Sequence, residues 1–263
     1  MTRAIFFDLD ETLVAQERAF DRAYRHVAQL ASNDSKVDSE TLARDIPEVA
    51  REVFRRAPFA EAVRRCRFGG RDILWADALG DSECEREIAQ AETWYRREVW
   101  SAVLQRHGIV DDELADRLGA DFQQAMVEAL ELYDEVEEVL SMTSERYRCA
   151  IVTNGMESAQ RRKIERLGIA SCFDSIVAST AVGEGKPSPK VFAKALERMH
   201  VDPAAALMVG DSLEGDVVGA RSVGMMAIWV NRQGVAGAEV SGCADREIRS
   251  LRSLPEALAD LGC

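Results

Sequence analysis

Asp8 and Asp10 stand two residues apart in Asp8-Leu9-Asp10-Glu11-Thr12, directly after the apolar run Ala4–Phe7. Where a chain leaves an extended strand, two carboxylates at this spacing can face one pocket. One can then attack an electrophile while the other handles protons. A solvated turn makes the same pattern, so the pair gains meaning only from what accompanies it. Thr153-Asn154-Gly155 places a hydroxyl, an amide and a permissive glycine at the entry to a helix, which suits phosphate oxygens. Gly183-Glu184-Gly185-Lys186-Pro187-Ser188-Pro189 fixes a loop around one lysine, able to neutralise a phosphate and a nucleophile's charge. Gly210-Asp211-Ser212-Leu213-Glu214-Gly215-Asp216 sets two acids five apart at a turn, suited to a hard, oxygen-liganded cation such as Mg²⁺. Each has a plain alternative: an ordinary turn, a solvated lysine, a helix N-cap at Asp211, dipole compensation at Asp216.

The elements that must position these residues follow from hydropathy. Compact apolar runs at Ala4–Phe7, Cys149–Val152, Ser175–Ala178, Ala206–Val209 and Met226–Val230 suit strands buried on both faces, as in a parallel sheet. Helical patterns separate them. Glu157 to Leu167 ends at Gly168, Ser188-Pro189 offers an N-cap followed by proline at N1, and Glu214 to Val223 ends at Gly224. Alternating strands and helices predict a doubly wound α/β domain with a parallel, Rossmann-like sheet, whose strand ends gather the four elements along one crevice.

Between Ala15 and Glu131 strand signals stop. Phe20, Ala23, Tyr24, Val27 and Ala31 fall at helical spacing, as do Leu114, Leu118, Phe122, Ala125, Met126 and Ala129. Ser82 with Glu85 reads as a capping box, opening one long helix whose face continues through Ile88, Ala91, Tyr95, Val99 and Val103. Pro47 reads as a helix start. The expected organisation is an α/β core of residues 1–14 and 132–263 with an inserted all-helical domain of residues 15–131. Arg67-Phe68-Gly69-Gly70-Arg71 is basic and flexible enough to reach a substrate, though a solvated interhelical loop is the plainer reading.

Together and in this order, the four elements resemble the motifs of the haloacid dehalogenase-like hydrolase superfamily. The insert after the first motif is similar to that family's helical cap. The resemblance implies a phosphatase in which Asp8 attacks phosphorus, while Asp10 protonates the leaving oxygen and then activates water. It implies Mg²⁺ held by the carboxylates of Asp8 and Asp211 and the main-chain carbonyl of Asp10. Thr153 and Asn154 would hold phosphate oxygens, Lys186 would bridge phosphate and nucleophile, and Thr12 and Asp216 would support them. Dehalogenating members carry a non-acidic residue at the position of Asp10, because a halide leaves without a proton. The competing readings are a phosphomutase of the same fold and a non-catalytic regulatory protein.

Composition bounds the partners. A net charge of −13 and a pI of about 4.8 argue against nucleic acid and anionic membranes. A small phosphorylated metabolite is the expected substrate, with oligomeric state open. No apolar run approaches membrane-spanning length and the amino terminus carries no secretory pattern, which predicts a cytoplasmic protein. The six cysteines are dispersed without a Cys-x-x-Cys pair, as expected of reduced thiols rather than a zinc site or disulfide frame. His26, His107 and His200 sit in separate polar helical contexts, with no pattern of catalysis.

Overall fold

The computed structural model describes residues 2–34, 37–235 and 242–263. Six strands form one parallel sheet: β1 (Ala4–Phe7), β2 (Arg148–Thr153), β3 (Ser175–Ala178), β4 (Ala206–Gly210), β5 (Met226–Val230) and β6 (Arg246–Ile248). Their order across the sheet is β3-β2-β1-β4-β5-β6. Every residue of β1 is buried, as is every residue of β4, which explains their unbroken apolar sequences. The chain leaves β1 for β2 and β3 on one side, then returns to β4 on the other. The β1–β4 boundary is therefore the switch point at which α/β sheets open a crevice.

Register makes the placement specific. Phe7 pairs with Ile151 on β2 and with Val209 on β4, so Asp8, Thr153 and Asp211 emerge within about two residues of the same level. Below them, Phe6, Val152, Val177, Phe192, Met208 and Trp229 belong to one buried cluster. Each such side chain contributes roughly 1.5–3 kcal/mol by leaving water, so the sheet is a stiff base for its loops.

The chain divides into two units, Met1–Ala15 with Glu131–Cys263, and Gln16–Leu130. In the second unit the described residues form seven helices: α1 (Gln16–Asp34), α2 (Ser39–Phe54), α3 (Ala60–Arg65), α4 (Gly70–Trp75), α5 (Glu83–Ala89), α6 (Glu92–Arg106) and α7 (Asp112–Ala129). Phe20, Tyr24 and Phe122 stack at its centre, with Trp100 tilted against Phe122. The first unit carries α8 (Val136–Ser144), α9 (Glu157–Arg166), α10 (Pro189–Met199), α11 (Gly219–Ser222) and α12 (Leu254–Asp260).

Several local expectations are corrected. Pro47 lies inside α2 rather than at a helix start. The buried stripe Leu42, Ile46, Val49, Ala50 and Val53 runs through it, and that burial outweighs the loss of one helical hydrogen bond. The single long helix expected after Ser82 is two, α5 and α6, with a turn at Gln90 and Ala91. The break lets the Glu92 carboxylate accept the Ala78 N–H at 2.9 Å while lying 3.6 Å from Arg96. Ser82 caps α5 by accepting from Glu85 N at 3.1 Å, and the Glu85 carboxylate accepts from Gly80 N at 2.8 Å. The Arg67–Arg71 stretch contains the start of α4. Arg71 is not loose: its guanidinium makes two hydrogen bonds to Glu17, one of 2.9 Å, and stacks over Phe20 at 4.4 Å. With Tyr24, Arg44 and Arg51 it lines a cavity of about 800 Å³ within this unit.

Candidate active site

Asp8 follows β1 and is 6 % exposed. One of its carboxylate oxygens accepts from Lys186 Nζ at 2.5 Å. The same ammonium donates to Asp216 Oδ1 at 2.6 Å and to the Val152 carbonyl at 2.8 Å, which uses all three of its protons. The other Asp8 oxygen lies 3.3 Å from the Thr12 hydroxyl, which also stands 3.3 Å from Asp211 Oδ1 and accepts from the Asp211 N–H at 3.0 Å. Thr12 thus ties the first element to the fourth, its single proton shared between two carboxylates.

The loop bearing Lys186 is held by Asn154. Its amide oxygen accepts the Lys186 N–H at 2.8 Å and its amide nitrogen donates to the Lys186 carbonyl at 3.3 Å. The Asn154 side chain is therefore committed to the lysine loop. Thr153, 1 % exposed, accepts at its hydroxyl from Gln160 Nε2 at 2.9 Å.

After β4 the chain enters a π-helical turn, Leu213–Val218, and then α11, so the helical segment expected from Glu214 to Val223 is present but begins as a π-helix. Ser212 caps the turn by accepting from Gly215 N at 3.0 Å, and widened turns of this kind recur at functional sites. The turn carries Asp216 inward until it is fully buried. Its second oxygen accepts from Ser212 N at 2.9 Å. A Cβ at position 210 would stand 2.2 Å from Asp216 Oδ2, so the strand must end in glycine for this carboxylate to dock. The Trp229 indole N–H fixes the Asp211 carbonyl at 2.8 Å.

Carboxylate oxygens of Asp8, Asp211 and Asp216 lie within 4.8 Å of one another. Burial raises the Asp8 pKa well above the usual carboxylate range; Lys186 counteracts this, and the charges of Asp216 and Asp211 add to it. Asp211 is pushed up to about 6, first by burial and then by the charge of Asp216. Burial opposes the charge of Lys186, but Asp216 and Asp8 outweigh it and raise its pKa, so it is a permanent cation. Three carboxylates facing one ammonium leave two negative charges uncompensated when all are ionised. Hard oxygen donors with that deficit fit a divalent cation.

Asp10 takes a different direction. Its carboxylate meets Lys163 Nζ at 2.5 Å through one oxygen and Gln160 Nε2 at 2.9 Å through the other. Neither partner stands out in the sequence by helical periodicity, because both read as polar residues of an ordinary helix. The available signal was the rarity of lysine: the chain has five.

Comparison with known proteins identifies the family. The profile of haloacid dehalogenase-like hydrolases matches residues 2–224, and the chain belongs to that family. A phosphoserine phosphatase of Thermus thermophilus is 31 % identical over 97 % of this chain and 100 % of its own length. A glyceraldehyde 3-phosphate phosphatase of Pyrococcus abyssi is 30 % identical over 87 % of this chain and 81 % of its own. Among solved structures, a 2-haloacid dehalogenase from Pseudomonas syringae aligns with a TM-score of 0.64 at 27 % identity, covering 99 % of this chain and 100 % of that one.

Proposed function

We propose that this protein is a Mg²⁺-dependent phosphatase that hydrolyses small phosphate monoesters through an aspartyl-phosphate on Asp8. The observation that carries the reading is Asp10: a second acid beside the nucleophile, gripped through both oxygens. An alkoxide leaving group needs a proton and a halide does not, which favours the phosphatases over the dehalogenase among its relatives. Asp8 attacks phosphorus as the ester P–O bond breaks, and Asp10 gives its proton to the departing oxygen. Asp10, now a carboxylate, takes a proton from the water that attacks phosphorus, and the acyl-phosphate bond breaks to release phosphate and restore Asp8. Lys186 offsets charge between nucleophile and phosphoryl group. Thr153 binds phosphate oxygen through its hydroxyl and Asn154 through its main chain, its side chain being engaged with Lys186. Mg²⁺ would be held by Asp8 and Asp211 with the Asp10 carbonyl, Asp216 alongside, and would supply charge that lets two anions approach.

The substrate is read as a small phosphorylated metabolite, in keeping with the names of the relatives and the acidic composition. No helix among the described residues is long and apolar enough to cross a membrane. The dispersed cysteines suit a reducing cytoplasm. The test is a panel of phosphate monoesters beside a 2-haloacid, each assayed with Mg²⁺. Phosphate release from several esters without halide release is the expected result; halide release alone overturns the proposal.

The carboxylate cluster also predicts a pH dependence. An acid whose folded pKa is raised stabilises the fold while protonated, and that stability is lost as pH climbs through the folded value. For Asp211 the window runs from the ordinary aspartate value of about 3.9 to about 6. Mg²⁺ binds the ionised form, so the rise in melting temperature on adding Mg²⁺ should be several-fold larger near pH 7.5 than at about pH 5. Equal rises at both pH values would contradict a metal site built on these acids.

A further inference from the structure

We propose that Lys163 and Gln160 are positioning residues for Asp10: together they fix the plane of its carboxylate so that one group can serve both proton transfers. The inference rests on the phosphatase reading above and extends it to a helix outside the four motifs.

Two lysines among the described residues are buried, Lys163 at 1 % and Lys186 at 4 % exposure. Each donates to a different acid of the first motif, Lys186 to Asp8 and Lys163 to Asp10. A buried ammonium is expensive unless paired, so a lysine with so little exposure is there for its partner. Gln160 and Lys163 are three residues apart on α9 and so share one face of it. They divide the carboxylate between them, Lys163 at Oδ1 and Gln160 at Oδ2. Two donors on two oxygens remove the rotation that a single hydrogen bond would leave free.

The surrounding loop makes room for this grip. Gly155 has φ +147°, and a Cβ there would stand 2.9 Å from Gln160 Nε2. The glycine of Thr153-Asn154-Gly155 therefore admits the Gln160 amide, whose two protons are shared among Asp10, Thr153 Oγ1 at 2.9 Å and the Asn154 carbonyl at 3.1 Å. One amide nitrogen thus spans the phosphate-binding turn and the proton-transfer group, setting their separation.

Misorientation of Asp10 harms the transfer of a proton to a poor leaving group more than the expulsion of a good one. The experiment compares Lys163→Met and Gln160→Leu with wild type on glycerol phosphate and p-nitrophenyl phosphate. The expected result is a fall in kcat/KM, which reports steps up to departure of the leaving group, of about 10²-fold or more on the alkyl ester and clearly less on the aryl ester. Acid-quenched Lys163→Met should retain phosphate on Asp8 for longer than wild type, and where that shared hydrolysis limits turnover kcat should fall alike on both esters. Lys163→Arg, which keeps a donor, should recover part of the alkyl-ester rate. Should Lys163→Met fail to fold, the neutral Gln160→Leu alone makes the leaving-group comparison. Equal losses of kcat/KM on both esters, or no loss in folded variants, overturn the positioning role. Wild type that releases phosphate from neither ester would instead overturn the phosphatase reading itself.

Discussion

Asp8→Asn should fold normally and lose turnover by on the order of 10⁴-fold or more, because an amide cannot form the acyl phosphate. Normal folding is expected on electrostatic grounds. The Asp8 pKa is raised, so burial already disfavours its charge, and Asn removes that charge while keeping the shape. Lys186 keeps Asp216 and the Val152 carbonyl as partners. Phosphate release from a small ester reads the activity, and intact mass after acid quenching reads the intermediate. Wild type should show an added phosphoryl group and Asp8→Asn none. Substantial steady-state activity in the folded variant would remove Asp8 from the role of nucleophile.

Lys186→Met should damage both activity and stability. Removing one partner from a buried ionic cluster strands the others, at a cost of about 3–5 kcal/mol. Here the stranded groups are Asp8 and the fully buried Asp216, with Asp211 nearby. In wild type the raised lysine pKa means that its stabilising charge is fully present below the unfolded value of about 10.4 and lost only as pH rises through the folded one. It is therefore constant across the neutral range. Asp8 behaves oppositely: its raised pKa means that stability returns as pH falls and the carboxyl takes up a proton. The deficit of Lys186→Met relative to wild type should thus be largest near neutrality and narrow on acidification, as measured by urea melts at several pH values. A deficit independent of pH would mean that Lys186 acts through packing alone.

The parallel sheet is legible in the sequence because five strands are short apolar runs. β6 is not: Arg246-Glu247-Ile248 has two exposed polar residues and one buried apolar one, which is the pattern of an edge. It forms because β5 offers it a partner, information held in the sheet rather than in the segment. The four motifs, through the resemblance they carry together, single out Asp8, Lys186, Asp211 and Asp216, and the structure brings these together. The Asp10 side chain meets Lys163 and Gln160 on α9, where periodicity cannot distinguish a buried lysine from a solvated one. Pro47 and the break at Gln90 and Ala91 were hidden for a related reason. Local propensity is overruled wherever burial of a stripe or a distant hydrogen bond decides.

The strand pairing has a consequence for how the chain assembles. β1 is made first, yet its neighbours begin at Arg148 and Ala206, so the central strand must wait for most of the chain before it can pair on both sides. The helices between Gln16 and Leu130 pair among themselves, as α1 does with α7 and α2 with α6, and those contacts need no residue beyond Leu130. Contacts close in sequence form sooner than those that must first close a long loop. On the ribosome the helical unit can thus mature while Ala4–Phe7, wholly apolar, remains without its sheet. Until β2 and β4 have both been made, this short apolar segment is open to wrong association.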